Sequence, residues 1–343
     1  MKVLLIHYNC NSPGAGGGGA ETVTLAWREG LQARGHTVEW WTGQGPAPQD
    51  FDIALVGTMH VVDRYMRRTA NAVASRPYVL FLHDYWPFCP SRMCLVENDR
   101  TCPATTDSCN NECGAFHGTT CVHTGDPWTR EASEFARRST IVVANPTTAA
   151  ICERNGFHVK HILPLGVDAQ MFTPGEKRDR IITSSAWAAY PTKGMHILQQ
   201  ACAGRTWGAD VLTGLPRTRV AEELATSTVY IFPSCYEETW GLCLTEAMAC
   251  GCACIASDVA GPKAQIRDGE TGILVRRRDP MALRRAVETV LCDRAMAARL
   301  GAAARAAVER DFTITRMAER LEHILMEELS NAEQKQGSGA MGP

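Results

Sequence analysis

The chain has 343 residues, 45% of them hydrophobic and 21% charged, with 35 basic against 37 acidic side chains and a formal net charge of −2. Ordinary domains run to roughly 100–200 residues, so this length and composition suit a globular chain of two domains, each with a sizeable core. Up to Leu165 there are 14 Lys and Arg against 15 Asp and Glu, and beyond it 21 against 22, which excludes the overall basic excess of a general nucleic-acid or membrane binder.

The opening Met1-Lys2-Val3-Leu4-Leu5-Ile6-His7-Tyr8 turns polar too soon for a signal peptide and reads as a first buried strand. No apolar run approaches the roughly 18 residues of a membrane span. A cytoplasmic protein is the expectation. A glycine-rich loop and a helix over 21–33 come next, then strands at 37–41, 52–56, 78–82 and 141–144. The stretch 87–124 breaks this rhythm. It is rich in Cys, Asn, Thr and Gly, shows no periodicity, and reads as an insertion. A second series has strands at 180–184, 210–213, 229–232, 252–256 and 272–275. Helices fit 193–203, 217–225, 242–250 and 280–291. Over 314–329, Met317, Leu321, Ile324 and Leu325 share one helical face.

Continuous apolar strands alternating with helices predict parallel sheets covered on both faces. The expected fold class is therefore α/β, with two Rossmann-like, doubly wound domains facing across a cleft. The first covers 1–165 and the second 166–311. A C-terminal helix at 312–330 packs back toward the first domain, and 331–343 forms a flexible tail. Ligands of such sheets sit at the carboxyl ends of the strands.

The densest chemistry lies between Pro233 and Gly251. Glu238 precedes a helix that starts near Gly241, and Glu246 lies in that helix's first turns. The N-terminus of a helix offers unpaired N–H groups to a diphosphate. Carboxylates accept hydrogen bonds from neighbouring sugar hydroxyls. Two ordinary acids at a helix start would look the same, because acids favour that position.

The block resembles the signature of glycosyltransferase family 4, in which two glutamates with seven residues between them lead into a Glu-Ala-Met-Ala-x-Gly helix. Further matches are Gly18-Gly19-Ala20-Glu21, Arg34-Gly35-His36-Thr37-Val38, His83-Asp84 and Gly166-Val167-Asp168. Ala256-Ser257-Asp258-Val259-Ala260-Gly261 and Asp268-Gly269-Glu270-Thr271-Gly272-Ile273-Leu274-Val275 extend the resemblance over about residues 1–330. It implies the GT-B fold and a retaining transfer from a nucleotide-sugar co-substrate to a hydroxyl acceptor. The leaving phosphate oxygen would assist the incoming hydroxyl, with no cofactor or catalytic metal for the chemistry.

Residue by residue, the resemblance gives Glu246 the ribose and Glu238 the transferred sugar. The backbone of Thr239, Trp240, Gly241 and Leu242 would meet sugar and phosphates. Gly18 and Gly19 would let the N-terminal loop approach the phosphate closely. Lys193 would neutralise the leaving diphosphate, and His83 would contact the donor sugar near the acceptor. The family's Gly-Arg pair upstream of the lysine is replaced by Ser184-Ser185-Ala186-Trp187-Ala188, which makes Arg217 the candidate second cation. The stretch from Cys202 to Val229 is also short of a βα unit. Trp86, Trp187 and Trp240 are candidates for stacking on sugar or base, against the plainer role of packing.

Fifteen cysteines remain to be explained. Scattered ones such as Cys202, Cys250, Cys252 and Cys254 read as small core residues. Six fall in the insertion, at 89, 94, 102, 109, 113 and 121. A structural zinc on Cys89, Cys102, Cys109 and Cys113, the positions that match cysteines in some relatives, is set against disulfides, free thiols or an iron–sulfur cluster. Two rival functions stay open: an epimerase on the same fold, and a non-catalytic nucleotide-sugar or nucleic-acid binder. The latter would use Arg64, Arg67 and Arg68, or Arg276–Arg278. A modified nucleic-acid base as acceptor is also open.

Overall fold

The computed structural model describes residues 1–7, 18–57, 63–87, 89, 127–185 and 191–339. The first domain has strands β1 (Lys2–Ile6), β2 (Thr37–Trp41), β3 (Ile53–Val56), β4 (Tyr78–Phe81), β5 (Thr140–Val143) and β6 (Val159–Ile162). They form one sheet in the order β2-β1-β3-β4-β5-β6, with every neighbouring pair parallel. Its helices are α1 (Gly19–Ala33), α2 (Asp63–Val73), α3 (Pro127–Arg138) and α4 (Pro146–Arg154). Ile53, Ala54, Leu55 and Val56 are all buried, as a central strand covered on both faces requires.

The second domain has β7 (Arg178–Ser184), β8 (Asp210–Leu212), β9 (Ser227–Phe232), β10 (Ala253–Ser257) and β11 (Ile273–Val275). The order is β11-β10-β9-β7-β8, again all parallel. Its helices are α5 (Met195–Cys202), α6 (Arg217–Thr226), α7 (Leu242–Ala249), α8 (Ala260–Gln265), α9 (Pro280–Cys292) and α10 (Arg294–Asp311). The chain leaves β7 toward β8 and returns on the other side as β9, so the switch point of this sheet lies between β7 and β9. That crevice positions the candidate site.

Several elements differ from the sequence reading. Strand β6 was not expected. It is a four-residue edge strand, Val-Lys-His-Ile, too short and polar for a period-2 signal. Helix α10 was also missed, because its buried stripe of Ala297, Leu300, Gly301, Ala304, Ala307 and Val308 is mostly small residues that carry little contrast. Lys193 does not start the following helix. It ends a 3-10 turn, Pro191–Lys193, and Gly194 caps α5.

The chain then crosses back. Val167 pairs with Thr313, and a final helix, α11 (Ile314–Gly339), lies along α1. The contact is close: a Cβ on Gly30 would sit 2.6 Å from the Ala318 Cβ. The expected flexible tail from 331 is corrected in part, since α11 continues through it to Gly339. Ala332, Glu333, Gln334, Lys335 and Gln336 all have good helix propensity and extend the helix already nucleated. Among the described residues, no helix is long and apolar enough to cross a membrane.

Candidate active site

Three loops at the carboxyl ends of β7, β8 and β9 build the site. Gly194 fixes the first of them. Its φ is +73°, and a Cβ there would stand 1.8 Å from the carbonyl oxygen of Pro233. Only a glycine lets the β7 loop press so closely on the end of β9. Lys193 is thereby brought to Glu238, with Nζ 2.7 Å from Oε2. The Tyr236 hydroxyl donates to Glu238 Oε1 at 2.5 Å and accepts from Lys193 Nζ at 3.2 Å. Burial works against the Lys193 ammonium, but the charge of Glu238 outweighs it and holds the lysine pKa above its usual range. Burial, and then the charge of Glu238, push the Tyr236 phenol up.

The β8 loop delivers Arg217 at the first position of α6. Its Nη2 lies 2.7 Å from Glu246 Oε1, and its guanidinium stacks 5.2 Å from the centre of the Phe172 ring. Glu246 is buried within α7, and burial raises its carboxyl pKa against the opposing pull of Arg217. Arg217 is therefore partnered with the acid expected at the ribose, and Lys193 with the acid expected at the sugar. Gly241 caps α7 with φ +90°, and a Cβ there would run into the Phe232 ring at 2.7 Å. Across the cleft, the start of α1 approaches the start of α7: a Cβ on Gly19 would contact Leu242 at 3.5 Å, with Gly18 as the α1 cap.

The first domain grips this β9–α7 loop directly. The Tyr85 hydroxyl donates to the Glu237 carbonyl at 2.9 Å, the Thr239 hydroxyl to the His83 carbonyl at 2.6 Å, and Asn145 Nδ2 to the Thr239 carbonyl at 2.5 Å. The His83 ring packs among Trp27, Phe81 and His7, with centroid separations of 5.3, 4.7 and 6.3 Å. Glu237 points the other way from Glu238. It accepts from Arg277 at 2.8 Å and from the Ala260 N–H at 2.9 Å. Glu237, Lys263 and Arg277 also line a cavity of about 550 Å³ on the β11 side, apart from the Lys193–Glu238 pair.

Trp240 does not present its ring to a ligand. It is 2% exposed, packs edge-on against Phe312 at 5.4 Å, and donates through Nε1 to Thr245 at 3.0 Å. Trp86 is likewise buried. Trp187 lies outside the described residues. Cys250, Cys252 and Cys254 are buried, and burial raises all three thiols, Cys250 to about 12 and Cys252 to about 11. They are core side chains. Of the expected zinc ligands only Cys89 is described, and it is buried. Cys102, Cys109 and Cys113 lie outside the described residues. The sequence reading assigned no role to Tyr236, and it named Arg277 only within the alternative patch Arg276–Arg278; the adjacency of Tyr236 to the two glutamates was the available signal.

Two parallel Rossmann-like sheets facing across this cleft make up the GT-B fold, and the fold comparison agrees. Sucrose-phosphate synthase from Thermosynechococcus elongatus superposes with a TM-score of 0.76 at 16% identity, over 96% of this chain and 99% of that one. Anabaena HepE in complex with UDP-glucose gives 0.69 at 17% identity, over 95% and 100%. Within the second domain, residues 208–307 match the family model of glycosyl transferases group 1. This chain is 36% identical over 129 residues to alpha-maltose-1-phosphate synthase from Mycolicibacterium smegmatis, covering 36% of this chain and 32% of the relative. It is 36% identical over 108 residues to D-inositol 3-phosphate glycosyltransferase from Streptomyces avermitilis, covering 31% and 23%. The matches thus span about a third or less of those two relatives' length.

Proposed function

We propose that the chain is a retaining glycosyltransferase of the family-4 kind, moving a sugar from a nucleotide-sugar donor to a hydroxyl acceptor. The observation that carries this reading is the pairing at the β7–β9 switch point. Lys193 meets Glu238, and Arg217 meets Glu246, on either side of the α7 N-terminus. An ammonium, two carboxylates and a helix N-terminus in one crevice match a sugar diphosphate group by group. Glu246 would accept from the ribose hydroxyls and Glu238 from the sugar. Lys193 would turn from Glu238 to the diphosphate and stabilise the charge that builds there as the glycosidic bond breaks. The acceptor's proton would pass to the leaving phosphate oxygen on the same face, so no separate protein base is required. His83 would border the acceptor side. HepE was solved with UDP-glucose, which makes UDP-sugars the first donors to try.

A panel of nucleotide sugars read by thermal shift should reveal the donor, because a ligand of the folded state alone raises the melting temperature. Glu246→Ala should then weaken binding of the bare nucleoside diphosphate. Glu238→Ala should keep that binding and lose turnover, and the product's anomeric coupling constant should show retention. Unchanged affinity and turnover in both variants would remove the assignment.

For the segment 87–124 we propose one structural zinc on Cys89, Cys102, Cys109 and Cys113. A stretch with so few large apolar side chains cannot offset its own ordering entropy by burial alone. Native mass spectrometry of the reduced protein should show one added zinc. Under oxidising conditions, a metal-free mass short of two protons per cysteine pair would establish disulfides instead.

A further inference from the structure

Tyr236 stands between the two groups that the reading above assigns to sugar and diphosphate. Its hydroxyl donates to Oε1 of Glu238 and accepts from Lys193, whose ammonium also lies 5.0 Å from the centre of its ring. The other oxygen of Glu238, Oε2, is the one held by Lys193. We propose that Tyr236 is a positioning residue for transfer: its hydroxyl anchors Glu238 by Oε1, so that Oε2 can pass from Lys193 to a hydroxyl of the donor sugar. This inference rests on the nucleotide-sugar reading and adds what the loaded site requires.

When a diphosphate draws Lys193 away, Glu238 gives up its charged partner. A glutamate released at both oxygens is free to rotate about its side-chain torsions, and the sugar would then have to order it at a cost in transition-state stabilisation. A phenol still donating to Oε1 keeps the carboxylate plane fixed, and an O–H···O⁻ bond of 2.5 Å is of the strong, charge-assisted kind. The phenol cannot exchange this role for that of a base. Burial and the neighbouring carboxylate keep its proton on, so it remains a donor throughout the working pH range. The ring has a separate role as the surface under Lys193, and Tyr236→Phe preserves it.

The test compares Tyr236→Phe, Glu238→Gln and the double variant, using the donor found for the wild type and its nucleoside diphosphate as probes. Tyr236→Phe should lower kcat by about tenfold or more, the loss expected for one hydrogen bond to a charged group. Diphosphate affinity and melting temperature should stay close to wild type. The double variant should be no slower than Glu238→Gln, because a residue that acts only through Glu238 has nothing left to position. Multiplicative losses in the double variant, or an unchanged kcat in Tyr236→Phe beside a slow Glu238→Gln, would overturn the inference and leave the donor reading intact. A wild type that binds no nucleoside diphosphate and turns over no nucleotide sugar would remove the donor reading, and this inference with it.

Discussion

At the scale of single residues, the site is two ion pairs whose members have opposite relations to burial. Glu246 is driven toward its neutral form by its surroundings, and Arg217 is what opposes this. The sign of the consequence is fixed. Removing the cation raises the Glu246 pKa further, so the carboxylate proposed as the acceptor for ribose hydroxyls is lost at a higher pH. Arg217→Ala should therefore bind the nucleoside diphosphate more weakly, and its affinity should fall off at higher pH than in the wild type. Titrating both proteins across pH checks this, and superimposable profiles would show that Arg217 does not sustain Glu246. Lys193 and Glu238 are 45 positions apart in the chain and Arg217 and Glu246 are 29 apart. All four residues are named by the sequence, through the family's spacing for three and through the missing arginine for the fourth. Their partners are not, because each pair is closed by loops from different strands.

At the scale of elements, α11 is held to the first domain by two charged clamps. Glu322 accepts from Arg34 and from His36, and Glu328 from Lys160, from His161 at 2.9 Å and from Thr140 at 3.0 Å. Burial pushes the Glu328 carboxyl up, yet the bonds from Lys160, His161 and Thr140 prevail and hold it below its usual 4.5. A depressed carboxyl contributes stability that is present above its unfolded pKa and lost as pH falls through the folded value. Glu328→Gln should cost about 1–2 kcal/mol at neutral pH, on the scale of hydrogen bonds to a charged group. The gap in melting temperature between wild type and variant should narrow as the pH drops below the carboxylate range. A gap independent of pH would assign the loss to shape, not charge. Neither clamp is visible in the sequence, where His36 and His161 are two histidines among ten.

At the scale of the whole molecule, the first domain reaches the β9–α7 loop through Tyr85, His83 and Asn145. Asn145 serves two elements at once: Oδ1 accepts the Thr148 N–H and caps α4, while Nδ2 donates to the Thr239 carbonyl. Asn145→Asp keeps the cap and removes the donor. Turnover should fall about tenfold, the scale of one buried bond replaced by two facing acceptors. Diphosphate affinity, which the proposed reading rests on second-domain groups, should hold. Tyr85→Phe should act in the same direction through Glu237. A loss of diphosphate affinity equal to the loss of turnover would mean that these bonds maintain the second domain and do not couple the two.

The sequence by itself determined the alternation of strands and helices, the division into two Rossmann-like units, and which loop carries the acids. These follow from signals that are local in the chain: apolar runs of four to six residues, capping residues, and glutamates at fixed spacing. Only the tertiary structure decided that Lys193 answers Glu238 and Arg217 answers Glu246. It also decided that Trp240 is packing, that Tyr236 stands inside the site, and that the C-terminal helix, expected to pack back toward the first domain, lies along α1. Each of these depends on the order of strands in a sheet or on one domain touching the other. Parallel neighbours are joined by crossovers and not by turns, so the pairing of their loops leaves no local periodicity to read.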